Sequence, residues 1–218
     1  KERDITADEM ARPAVGMKYS KVIFVGDSRT VGMYATLNKQ IGSSSSSGVS
    51  FVASAGQGLS WFQSEGYAKL LKEVEKAEGS LPVAVVFNLG VNDMANASNY
   101  VSYMTNIAST LKSKNCKLFY MSVNPLNSTM ITKAGKGSRT EAQVREFNSK
   151  IRSGLSANYK YIDTYSVLMK TGYGTNASYN GEDSVSDDGL HYTTKTFKRI
   201  YYYCVIYLNT GSIDSFYY

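Results

Sequence analysis

A single histidine, His191, stands in the 218 residues. That scarcity excludes HExxH zinc chemistry and any multi-histidine metal site, because both need more than one imidazole at the ion. No metal or cofactor is expected, and any imidazole chemistry runs through this one residue. Cysteine is nearly as rare: Cys116 and Cys204 lie far apart in apolar contexts and form no CxxC pair, which reads as two buried free thiols. No apolar stretch reaches about 18 residues, so no transmembrane segment is expected. The net charge is +6, but Lys and Arg are scattered and no block of about five like charges appears, which argues against a nucleic-acid partner. A G-x-G-x-x-G or P-loop pattern is also missing, so nothing supports a nucleotide site.

What is present is a globular composition, with 43% hydrophobic and 19% charged residues in a length suited to one α/β domain. Residues 1–19 are polar and weakly patterned and read as a lead-in to a domain over 20–218. The chain opens at Lys1 without an initiator Met, which reads as a trimmed or processed start, so the absence of a signal peptide carries little weight. Five β-rich runs follow: VIFV (22–25), VSFVA (49–53), VAVVFNL (83–89), KLFYMSV (117–123) and YKYID (159–163).

Apolar residues at helical spacing lie between and after these runs. Tyr67, Leu70, Leu71 and Val74 make one stripe, and Tyr100, Met104, Ile107 and Leu111 a second. Val144, Phe147, Ile151 and Leu155 make a third, preceded by Thr140 and Gln143 at capping-box spacing. The last runs from Phe197 through Ile200, Tyr201, Cys204 and Val205 to Leu208, closed by Gly211. Strands apolar on both faces that alternate with helices predict a parallel sheet covered on each side, a three-layer α/β/α sandwich. The Ser-rich run 41–50 and the stretches 124–139 and 172–189 are expected loops, the two longer ones functional.

In such sheets the working groups gather at the carboxyl ends of the strands. Gly26-Asp27-Ser28, the SAGQG segment (54–58), Gly90-Val91-Asn92-Asp93 and the loop from Asn124 would share that rim. A serine needs a base within hydrogen-bond reach and a third group to hold the base in the right tautomer. The only candidate base is His191, with Asp188 three residues before it and Gly189 to help the turn. A glycine amide and an asparagine side chain beside the serine would meet transition-state charge.

GDS at 26–28, Gly56 in AGQG, Gly90, Asn92 and Asp93 in a GxND block, and Asp188 and His191 in DxxH together resemble the SGNH (GDSL-type) hydrolases. The order and spacing fit over residues 24–192. The resemblance implies a flavodoxin-like, five-stranded parallel sheet of order 2-1-3-4-5 and ester hydrolysis through a serine acyl-enzyme. It makes Ser28 the nucleophile and His191 the base oriented by Asp188. Ser28 N–H, Gly56 N–H and the Asn92 side chain would form the oxyanion hole. The pattern is not the G-x-S-x-G elbow, because Thr30 stands at its last position.

Arg29 replaces the usual leucine of the signature and is expected to pair with Asp27 or Asp93, or to face substrate. With Arg29, the residues Trp61, Phe62, Met94 and Tyr192 adjoin the motif loops as candidates for a substrate pocket, packing roles being equally open to them. Lys133, Lys136 and Arg139 in the fourth loop would meet an anionic glycan or stay solvated. The expected activity is a serine esterase with a small-molecule or glycan ester as substrate, more narrowly an O-acetyl esterase on carbohydrate or cell-envelope glycan, bacterial and extracellular or envelope-associated. A lipase, lysophospholipase or thioesterase is the alternative within the class, and a non-catalytic binding module the alternative outside it.

Overall fold

Val22-Ile23-Phe24-Val25 is apolar at every position, so both faces of that strand must be covered. In the computed structural model, which describes residues 2–11, 18–42 and 48–218, both are. Strand β1 (Lys21–Gly26) lies beside β2 (Val49–Ala53) and β3 (Val83–Asn88), and β4 (Cys116–Met121) and β5 (Lys160–Ile162) complete the sheet. All pairings are parallel and the order is β2-β1-β3-β4-β5, the expected flavodoxin-like arrangement. The Ser-rich residues 43–47 lie outside the described residues.

Alternation along the strands divides the core in two. Ile23, Val25, Val85, Phe87 and Tyr120 face one way, against α4 (Tyr67–Glu75), α5 (Ala97–Ser113) and α7 (Glu141–Gly154). Val22, Phe24, Val86 and Met121 face the other, against α2 (Ser28–Ile41), α8 (Thr164–Thr171) and α9 (Thr194–Thr210). Each fully buried Val or Phe of these layers stabilises the fold by roughly 1.5–3 kcal/mol. Both cysteines are buried and free, and burial pushes the Cys116 thiol up to about 11, which leaves it unreactive.

Local signals hold where the sequence carried them. Thr140 and Gln143 form a reciprocal capping box at the start of α7, and Gly211 ends α9 in the left-handed conformation with φ +82°. The segment read as a lead-in contributes a short helix, α1 (Ala7–Ala11), and packs Ile5 and Met10 into the α9 side of the core. Glu2 reaches the buried Arg199 guanidinium at 3.2 Å. Helix α3 (Leu59–Trp61) runs into α4 through one π-helical turn, Phe62–Gly66, and α6 (Ser128–Lys133) lies in the stretch expected to be a loop.

Candidate active site

The chain leaves β1 and enters α2 with one residue between them, Asp27. The Asp27 carboxylate caps the helix by accepting from the Arg29 N–H at 3.0 Å. Close packing forces glycine at 26, where a Cβ would stand 1.8 Å from Thr30 Oγ1. Ser28 is therefore the first residue of α2, at the carboxyl end of the central strand, with its N–H among the amides that a helix N-terminus leaves without an intrahelical acceptor.

His191 arrives from the far end of the chain on β7 (His191–Tyr192), which pairs antiparallel with β6 (Thr175–Asn176), Asn176 opposite His191. Gly189, at φ +70°, makes the turn before it. A Cβ there would lie 2.4 Å from the Asn127 carbonyl, so the close approach as well as the dihedral requires glycine. The turn folds Asp188 back under the imidazole. Asp188 Oδ1 accepts from the Leu190 and His191 N–H groups, each at 2.9 Å, and Oδ2 lies 2.6 Å from His191 Nδ1. His191 Nε2 lies 2.8 Å from Ser28 Oγ. Burial pushes the Asp188 carboxyl up, but the bonds from the His191 ring and the two amides outweigh it and hold it at about 2. With Nδ1 donating to a carboxylate, Nε2 is left as an acceptor for the serine proton.

Two further loops close the rim. Asn92 Nδ2 donates to the Gln57 carbonyl at 2.9 Å, and Arg139 Nη2 donates to Asn92 Oδ1 at 3.3 Å. Bonds on both sides fix which way the amide faces, and the second Nδ2 hydrogen is not used by Gln57. Asp93 ties the same loops: it accepts from the Leu59 N–H at 2.9 Å and from the Tyr100 hydroxyl at 2.7 Å. A Cβ on Gly58 would stand 2.4 Å from the Asp93 carboxylate, whereas Gly56 is exposed at φ +75° with open space where a Cβ would be. Gly58 thus serves packing, and Gly56 lies on the open side.

The charge of Arg29 lies near Asp27, but its side-chain hydrogen bonds go to neither Asp27 nor Asp93. Its guanidinium is buried and donates to three main-chain carbonyls, Leu190 at 2.8 Å, Asn124 at 2.7 Å and Pro125 at 2.9 Å. It also lies over the Tyr192 ring at 4.6 Å, and the Tyr192 hydroxyl donates to the same Pro125 carbonyl. The expectation of a carboxylate partner or of contact with substrate is corrected: Arg29 joins the start of α2 to the loops after β4 and before β7, which sets the distance between Ser28 and His191.

Of the two roles left open for the side chains beside the motif loops, the aromatic ones take packing. Phe62 is 0% and Tyr192 1% exposed, so both belong to the core, and Trp61 is nearly as buried. Met94 is half-buried and packs on the same core. The loop tip that does reach the site is Tyr179, whose ring stacks on the His191 imidazole at 4.5 Å between centroids and 28° between planes. Neither Tyr179 nor the Arg139 to Asn92 contact is signalled in the sequence, because each lies in an aperiodic stretch distant from its partner.

Residues 22–203 match a family described as GDSL-like lipase/acylhydrolase. No curated protein matches the chain. Among solved structures, the chain is similar to the acetyl xylan esterase AlAXEase, at 16% identity over 87% of this chain and 99% of that one, with a TM-score of 0.57. A member of the lipolytic G-D-S-L family from Veillonella parvula is 16% identical over 87% and 98%, TM-score 0.55. The psychrotrophic esterase EstA from Pseudoalteromonas is 15% identical over 88% and 100%, TM-score 0.52. At these identities the likeness is one of fold.

Proposed function

The chain belongs to the GDSL-like lipase/acylhydrolase family, a serine ester hydrolase, and from that premise we propose that Ser28, His191 and Asp188 carry the reaction on O-acetyl esters of carbohydrate. The observation that carries the proposal is the unbroken chain from Ser28 Oγ through both imidazole nitrogens to Asp188, at 2.8 and 2.6 Å. His191 Nε2 takes the Ser28 proton as Oγ bonds to the acyl carbon, and the carbonyl oxygen becomes an oxyanion. Ser28 N–H, Gly56 N–H and Asn92 Nδ2 donate to that oxygen. Collapse breaks the bond to the alcohol, which leaves with the proton from Nε2. Water then gives its proton to Nε2 and attacks the acyl carbon; collapse breaks the bond to Ser28 Oγ, which takes that proton back from Nε2 as the acid leaves. Asp188 stays ionised throughout and steadies the imidazolium.

The preference for a short acyl group is supported by where the apolar side chains go. Those beside the motif loops turn into the core, and a long acyl groove would need them at the surface. Among the described residues, the exposed large apolar side chains include Tyr179 and Val185 on the 172–189 loop but none from the loops after β1, β2, β3 or β4. The rim is otherwise supplied with Ser, Asn, Gly and Thr, which suit hydroxyl-bearing substrates. No helix of the described residues is long and apolar enough to cross a membrane, and a wall or envelope glycan as substrate would place the enzyme outside the cytoplasm.

The test is a series of p-nitrophenyl esters from acetyl to dodecanoyl, followed by acetate release from acetylated xylan and peptidoglycan fragments. The acetyl ester should be the best or nearly the best substrate, with acetate released from at least one glycan. An optimum at octanoyl or longer without acetate release would assign the protein to lipid esters instead.

A further inference from the structure

Among the described residues, Tyr179 is one of few large apolar side chains left at the surface, 39% exposed, yet one face of its ring is committed to an imidazole that is itself 4% exposed. Its position is built. Asn176, buried at the neck of the loop, accepts from the Ser178 and Ser184 N–H groups at 2.9 and 3.1 Å and donates to the Ser184 carbonyl at 2.9 Å. Ala177 N–H donates to the Ser186 carbonyl at 2.9 Å, closing the same neck. Asn180 Oδ1 accepts from Ser178 Oγ at 2.7 Å and from the Glu182 N–H at 3.1 Å. Asp183 ties the loop to the start of α9 through the Thr194 N–H at 2.8 Å, and Glu182 pairs with Lys39 of α2 at 3.0 Å.

A loop held at this many points presents its tip without an ordering cost when a ligand arrives. The tip lies where the leaving group must be. In the reaction assigned above, the alcohol oxygen departs with the proton of His191 Nε2, so the alcohol half of the ester lies against the imidazole while the acyl half points toward the oxyanion donors. The side chain stacked on that imidazole therefore borders the alcohol. An aromatic face beside hydroxyl and amide groups, here Ser178 and Asn180, matches a pyranose, which offers an apolar face of C–H bonds and a rim of hydroxyls.

Resting on the serine-esterase reading, we infer that Tyr179 is the platform for the sugar ring of the leaving alcohol and makes the enzyme selective for esters of carbohydrate over esters of small alcohols. Tyr179 touches substrate in this role and donates no proton to it.

The experiment compares one acyl group on two kinds of alcohol: 2,2,2-trifluoroethyl acetate, and a panel of acetylated xylo-oligosaccharide, 6-O-acetylglucose and O-acetylated muropeptide. For the best sugar of the panel, Tyr179→Ala should lower kcat/KM roughly tenfold, mainly through KM, and change trifluoroethyl acetate by less than about threefold. Tyr179→Phe keeps the ring and should behave as the wild type on both. An equal loss on both alcohols would make the ring a support of the imidazole and overturn the platform, as would no loss on either. A wild type that turns over trifluoroethyl acetate and none of the sugars overturns the platform and the carbohydrate substrate with it, and leaves the serine-esterase reading standing. A wild type inert toward every ester takes the serine-esterase reading down with it.

Discussion

Two buried aspartates flank the Ser28–His191 pair, and they meet opposite fates. Asp188 receives the imidazole and two main-chain amides, and its carboxyl is held at about 2. Asp27 is as deeply buried one residue before the serine but accepts from the Arg29 amide, and burial pushes it up to about 6 against that bond and the nearby charges of Arg29 and His191. The same side chain is a fixed charge in the turn before β7 and a reluctant one in the turn after β1. Burial raises both carboxyls, and only at Asp188 do the surrounding donors outweigh it, which leaves that carboxylate able to steady an imidazolium. The position of each in the chain follows: Asp188 lies in a turn that frees two N–H groups to point inward, whereas Asp27 caps a helix with a single amide in reach.

Removing the charge at each site tests this contrast. Asp188→Asn takes away the acceptor that fixes the imidazole tautomer, and kcat on p-nitrophenyl acetate should fall by about a thousandfold to ten-thousandfold. Asp27→Asn keeps a good helix cap, so its loss should be smaller by roughly a hundredfold or more. Similar losses in the two variants would erase the distinction between them. Next in size is Asn92, proposed as an oxyanion donor: Asn92→Ala should lower kcat by about a hundredfold to a thousandfold with KM little changed. A change confined to KM would move Asn92 to substrate binding.

The smallest effect is on stability and separates the aspartates by sign. Asp27 has a raised folded-state value, so its contribution is present below the ordinary aspartate range and is lost as pH rises through about 6. Asp188 is depressed, so its contribution is present above the ordinary range and is lost as pH falls toward about 2. Thermal unfolding followed between pH 4 and 8 should show Asp27→Asn gaining Tm relative to the wild type as pH rises. A constant difference across that range would mean that Asp27 titrates normally.

The parts of this site that were legible in the sequence are those where one residue type answers a local need. Ser28 follows an apolar strand with no room for a longer turn, and Asp188 and His191 are spaced for a carboxylate to fold back under a ring. The sheet was legible because strands apolar on both faces demand two covering layers. Helix α2 shows no apolar stripe, since Ser28, Arg29, Thr30, Gly32 and Thr36 supply much of its buried face. Arg29 escaped for a related reason: its partners are carbonyls of residues 124, 125 and 190, and a main-chain acceptor leaves no trace in residue identity. Trp61, Phe62 and Tyr192 adjoin the motifs in sequence but turn inward, and Tyr179, twelve positions before His191, is brought to it by hydrogen bonds of small polar residues whose spacing carries no period.

The proposed reaction requires that the His191–Asp188 pair make Ser28 nucleophilic. Intact-mass measurement after exposure to a fluorophosphonate tests this. The wild type should gain a single phosphonyl adduct, Ser28→Ala none, and Asp188→Asn one that forms far more slowly. An adduct of equal yield on Ser28→Ala, or none on the wild type, would contradict the assignment.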